Sequence, residues 1–192
     1  MNENIIPSQI LDYAQYTYLN YTPHKRYSGF NETQDQERGE GDLLDLIGSL
    51  LIFDILSRQH KKCSIEFCVG TGDESDLVVK VNNATKLINI KTSSYYPYRD
   101  NLNLFIKKEE ITKEIDAYIQ VFIHLKEPKF NDGFFEPHFH IAGWCARNSK
   151  IWNDYCEKII EIPRTGGHLG ISIPVNKLGS INSFIKLLDS KF

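Results

Sequence analysis

Between Cys63 and Thr92 three segments rich in β-branched residues, Cys63–Val69, Asp76–Val81 and Leu87–Thr92, are separated only by Gly70-Thr71-Gly72-Asp73 and by Asn82-Asn83 and their short flanks. Connections this short, made of turn-forming residues, return the chain on itself, so the segment predicts three antiparallel strands joined by two hairpin turns. Alternate residues of a strand share a face. Ile88 and Ile90 are therefore expected to enter a core, with Asn89 and Lys91 on the opposite side.

Upstream, Thr33 and Gln36 have the spacing of a capping box, and Leu43, Leu44, Ile47, Leu50, Leu51 and Ile55 recur at helical intervals. They predict one long helix from Thr33 to about Arg58. Before it lies a tyrosine-rich segment with Tyr13, Tyr16, Tyr18, Tyr21 and Tyr27, in which a helix is expected from Ser8 to Asn20. Its tyrosines are read as packing residues in preference to a base-stacking platform. Downstream, Lys107-Lys108-Glu109-Glu110 predicts an exposed short helix over Leu104 to Glu114. Strands follow at Ala117 to Leu125 and Phe139 to Ala146, a helix at Lys150 to Cys156, a strand at Gly170 to Pro174 and a closing helix at Ile181 to Leu188. Glu127 to Pro137 reads as a loop. This order describes an α/β domain with a mixed central β-sheet flanked by helices. A single domain is expected over 1–192, with 1–30 as the tyrosine-rich segment and 31–192 as the core.

Apolar residues make up 41% of the chain and charged residues 24%, the balance of a folded globular protein, with no apolar run long enough to span a bilayer. A cytoplasmic protein with no membrane partner is the expectation. The four cysteines, Cys63, Cys68, Cys145 and Cys156, are too scattered for a disulfide scaffold and read as small buried residues. A net charge of −3 offers no overall attraction to phosphate, so nucleic-acid binding would require a local basic face.

The chemistry concentrates in Asp76 and the triplet Asn89-Ile90-Lys91. The hairpin brings the Asp76 carboxylate near Asn89, which puts two oxygen ligands and an ammonium around one point. Phosphodiester hydrolysis uses such a set: oxygens for a hard cation and positive charge for the transition state. Asp76 and Asn89 are the candidate metal ligands, joined by the Ile90 carbonyl, and Lys91 would orient water and offset phosphate charge.

An acid at the start of one strand followed by an acid-x-lysine triplet on the next resembles the PD-(D/E)XK, or restriction-endonuclease-like, nucleases. The match is Asp76 with Asn89-Ile90-Lys91, and the order of elements from Glu37 onward, including the His140-Ile141-Ala142-Gly143-Trp144 strand, is similar. Asn89 departs from the pattern, placing a neutral amide where the family has an acid. The resemblance implies a Mg²⁺-dependent endodeoxyribonuclease, with Mn²⁺ able to substitute, a restriction-endonuclease-like fold and a homodimer acting on DNA. It also implies a further catalytic acid on the preceding helix. Glu40, between Gly39 and Gly41, is the first choice, with Asp45 and Glu37 as alternatives. Arg147, Lys150 and Arg164 are the candidate DNA-binding residues, and His168 lies near them in sequence.

Two other patterns carry less. His138 and His140 share a strand face, but with Cys145 and Cys156 they lack zinc-ligand spacing; Gly70-Thr71-Gly72 lacks the remainder of a phosphate loop. The competing reading is a non-catalytic DNA-binding or interaction module on the same scaffold, in which Asn89 has removed metal affinity. A third is an unrelated small-ligand protein whose Asp and Lys are structural.

Overall fold

A computed structural model describes residues 4–21, 32–59, 63–68, 75–81, 84–94, 102–111, 114–124, 137–162 and 167–190, except the side chains of 18–41 and 189–190. In chain order the strands are β1 (Asn4–Ile5), β2 (Cys63–Phe67), β3 (Leu77–Val81), β4 (Ala84–Ser94), β5 (Asn103–Lys107), β6 (Ala117–His124), β7 (His138–Ala146), β8 (Ile160–Glu161) and β9 (Leu169–Pro174). The helices are α1 (Ser8–Tyr21), α2 (Glu32–Gln59), α3 (Lys108–Ile111), α4 (Lys150–Tyr155) and α5 (Ile181–Ser190). The chain adopts a mixed α/β fold whose central sheet, ordered β1-β7-β6-β4-β3-β2, is flanked by helices.

The meander is present: β2 pairs antiparallel with β3, and β3 with β4 in the register Leu77↔Ile88. The next pair, β4 with β6, is parallel, with Lys91 opposite Gln120. Parallel neighbours need a crossover, and this one carries β5 and α3. One face of the sheet bears Ile88, Ile90, Ile119 and Val121, packed with Ile47, Leu51, Ile52 and Leu56 of α2 and with Ala14 and Phe184 of α1 and α5. Tyr118 faces the other way, into a second core with Leu104, Ile106, Trp152, Ile171 and Ile173.

Three glycines lie in α2, Gly39, Gly41 and Gly48, and each costs a helix about 1 kcal/mol relative to alanine. Burial of Ile47, Leu51, Ile52 and Leu56, at about 1.5–3 kcal/mol each, outweighs that cost. Gly48 has a packing reason: a Cβ there would collide with Thr92 Oγ1, so the missing side chain lets α2 approach β4.

The structure corrects several sequence expectations. Leu104 to Lys107 is strand, not helix, because Leu104 and Ile106 alternate into the second core while β5 pairs with β9; helix begins only at Lys108. The expected single sheet is accompanied by a three-stranded one, ordered β5-β9-β8. Tyr13 and Tyr16 are exposed at 55% and 59%, so these two do not pack as expected. Of the four cysteines, none of them in a disulfide, only Cys145 is buried. The two meander turns, Tyr27, and the Glu127–Pro137 loop apart from Pro137 lie outside the described residues. No described helix is long and apolar enough to cross a membrane.

Candidate active site at the open edge of β4

The site arises where β3 ends before β4 does. The Asp76 backbone N–H donates to the Ile88 carbonyl at 3.0 Å, and β3 begins at the next residue, Leu77. Along β4 the backbone groups of Ile88, Ile90 and Thr92 point to this edge, while the intervening residues bond towards β6. Past the last rung the Ile90 N–H donates to Asp76 Oδ2 at 2.6 Å. Asp45, on α2, lies near the Thr92 backbone and within electrostatic reach of Lys91 and Asp76; the close approach at Gly48, one turn further along α2, brings it to the sheet edge. Among the described residues, the Asp76 carboxylate takes the place of the next rung at this edge. Backbone alternation puts the Ile90 carbonyl on the same edge.

On the adjoining face, Lys91 Nζ lies 2.8 Å from Glu110 Oε2, a contact supplied by α3. Asn89 shares the face of Lys91 and is opposite Tyr118 in the ladder. Gln120, 1% exposed, is opposite Lys91. Its Nε2 donates to the Val121 carbonyl at 3.0 Å and approaches Ser93 Oγ at 3.4 Å, beside a bulge in the pairing of β6 with β7.

Among the described residues, three acids, Asp45, Asp76 and Glu110, lie within electrostatic reach of one ammonium, that of Lys91. Desolvation raises the pKa of Asp76, as does Glu110 to a lesser degree, against the lowering by the Ile90 N–H and Lys91. Asp45 is pushed up to about 7, chiefly by desolvation of its carboxyl, with Asp76 and Asp42 adding and Lys91 and the Thr92 N–H opposing. Asp45 as a residue is nevertheless exposed, so solvent reaches it. Among the described residues no group of three or more His, Cys, Asp or Glu side chains stands close enough to hold a metal ion.

Asp76, Ile90 and Lys91 therefore converge, and Asn89 lies on the Lys91 face. From α2 the acid that reaches the site is Asp45, the alternative to Glu40; the side chains of Glu40 and Glu37 lie outside the described residues. Arg164 is also outside them. The Arg147 N–H donates to the Asp116 carbonyl, four ladder positions or ~13 Å from Gln120, and Lys150 is exposed at the start of α4. His124 Nδ1 and His138 Nε2 are 3.3 Å apart, and Cys145 Sγ is 3.6 Å from Ser149 Oγ.

Sequence reasoning missed Glu110 and Gln120. A lone glutamine amid Ala-Tyr-Ile-Gln-Val-Phe-Ile was a usable signal, since an apolar strand rarely buries an amide without a reason. Glu110 carried no such signal, because its charge cluster looked like solvated surface. No family model matches the chain, and no curated protein matches it.

Proposed function

We propose that the chain is a Mg²⁺- or Mn²⁺-dependent endodeoxyribonuclease on a restriction-endonuclease-like scaffold. One observation carries the reading: two acids, Asp76 and Asp45, lie at the edge of β4 beside Lys91 with the pKa of each carboxyl raised, so that a bound cation would favour the ionised form of both. Backbone capping alone would be served by neutral side chains; acids crowded together in this way fit a cation. Mg²⁺ commonly takes one or two carboxylates and retains waters and substrate phosphates, so a cage of three protein acids is not required.

Asp76, with one oxygen already given to the Ile90 N–H, and the Ile90 carbonyl would hold the ion, with Asp45 or the Asn89 amide oxygen completing the set. The ion supplies charge neutralisation and water activation when bound. Lys91 directs its ammonium at the phosphate and orients the attacking water by hydrogen bonding, stabilising charge that grows in the transition state. Gln120, buried beside it, fixes the Ser93 hydroxyl and the bulge of β6, and so the floor of the site. Arg147 and Lys150 are proposed to contact DNA phosphates away from the cut, and a homodimer would address both strands.

Asn89 favours the competing reading of a non-catalytic DNA-binding module, because its amide is a weaker ligand than a carboxylate. One experiment separates the two: supercoiled plasmid incubated with the protein and Mg²⁺ or Mn²⁺ is nicked or linearised by the wild type and untouched by Asp76→Ala. Intact plasmid with the wild type in both metals overturns the nuclease reading.

A further inference from the structure

The Lys91–Glu110 pair is unusual in how little freedom its acid retains. The two side chains are 22% and 20% exposed, and Nζ to Oε2 is 2.8 Å. Glu110 Oε2 also accepts the Lys107 backbone N–H at 3.3 Å, and the Glu110 carbonyl accepts the Tyr118 hydroxyl at 3.0 Å. Tyr118 is fully buried and stacked on Trp152, with ring centroids 5.5 Å apart and planes 3° from parallel. The carboxylate is thus tied to the sheet through its own oxygen, its own carbonyl and a stacked aromatic pair. An exposed ion pair loses much of its benefit in ordering two mobile side chains; here that ordering is already provided by β5, α3 and β6.

We propose that Glu110 is a positioning residue that holds Lys91 in the empty site and competes with phosphate for its ammonium. The turnover part rests on the nuclease reading; the anion part does not. The ion pair at 2.8 Å draws the ammonium to the α3 side of the site and so limits the directions from which it can meet a phosphate. The same carboxylate repels an arriving phosphate in a site that already contains Asp76 and Asp45. Removing its charge therefore has two opposite consequences. Phosphate reaches Lys91 more readily, and Lys91, once there, is less well aimed.

The test follows the Lys91 ammonium signal by ¹⁵N NMR during titration with inorganic phosphate without metal, alongside steady-state cleavage of plasmid DNA with Mg²⁺. In Glu110→Gln the phosphate midpoint falls about fivefold, as loss of a charged competitor implies. KM for DNA falls while kcat drops at least about tenfold, and Glu110→Asp recovers part of kcat. Equal phosphate midpoints in wild type and Glu110→Gln, or KM and kcat worsening together, overturn the proposal. If Glu110→Gln does not fold, Glu110→Asp carries the phosphate titration, with a smaller shift in the same direction expected and no shift contradicting it. A lowered phosphate midpoint in a protein that cuts no DNA supports the assignment while removing the nuclease reading.

Discussion

Two aspartates each accept a backbone N–H from β4, and they differ in everything else. Asp116 accepts the Leu87 N–H at 2.9 Å and binds Lys86 Nζ at 2.9 Å with its other oxygen, so its charge is matched where it sits. Asp76 accepts the Ile90 N–H at 2.6 Å, but Lys91 is engaged by Glu110, and Asp45 adds a further carboxylate nearby. Capping a strand explains Asp116 in full. It does not account for the acids crowded around Asp76, and on the proposed function that difference separates a structural acid from one placed for a cation.

The largest expected effect falls on turnover. Asp76→Ala and Lys91→Ala should each lower cleavage at least about a hundredfold, the scale of removing a group that stabilises transition-state charge, while Asp116→Ala keeps kcat. Asp116→Ala should instead lose about 1–3 kcal/mol of stability in urea melts, because it leaves the Leu87 N–H and Lys86 without their acceptor. Loss of turnover in Asp116→Ala as severe as in Asp76→Ala would erase the distinction.

The next effect tests how Asp45 reaches the edge of β4. Gly48→Ala should be net destabilising, the collision with Thr92 Oγ1 costing about 1–3 kcal/mol against about 1 kcal/mol of helix propensity regained, and Thr92→Ala in the same chain should recover the loss. Additive losses in the double variant would show that the contact does not set the helix position.

A smaller effect concerns pH. Asp45 has a folded-state pKa raised to about 7, so between about pH 4 and 7 the native state binds more protons than the unfolded one. Stability is then greatest below the unfolded value and declines as pH rises through that window. Asp45→Asn should flatten this decline in metal-free urea melts at pH 5 and pH 8; an unchanged slope would show that the carboxyl is not held as described. The smallest effect is on DNA binding: Lys150→Ala should reduce the slope of log affinity against log salt by about one and leave kcat unaltered.

The contrast between the two aspartates also marks what was legible in the sequence. The meander, the face shared by Asn89 and Lys91, and the cores beneath Ile88 and Ile90 follow from strand alternation, a local property. Asp76 was legible for the same reason, being one residue before a strand whose partner carries Ile90. Glu110 was not, because its place depends on the crossover between two parallel strands, which no local pattern encodes. β5 was misread because its last residue, Lys107, begins a charge run, and its alternation has meaning only once β9 lies beside it. On α2, sequence spacing offered three acids, and the choice of Asp45 came from the helix approaching β4 at Gly48.

The central claim, that the Asp76 corner is built for a divalent cation and the Asp116 corner is not, is tested most directly by calorimetric titration of Mn²⁺ into three proteins. Wild type and Asp116→Asn should bind the ion alike, and Asp76→Asn, which keeps the shape but removes the charge, should bind it at least about tenfold more weakly. Equal binding by wild type and Asp76→Asn, or no binding by the wild type, would contradict the account.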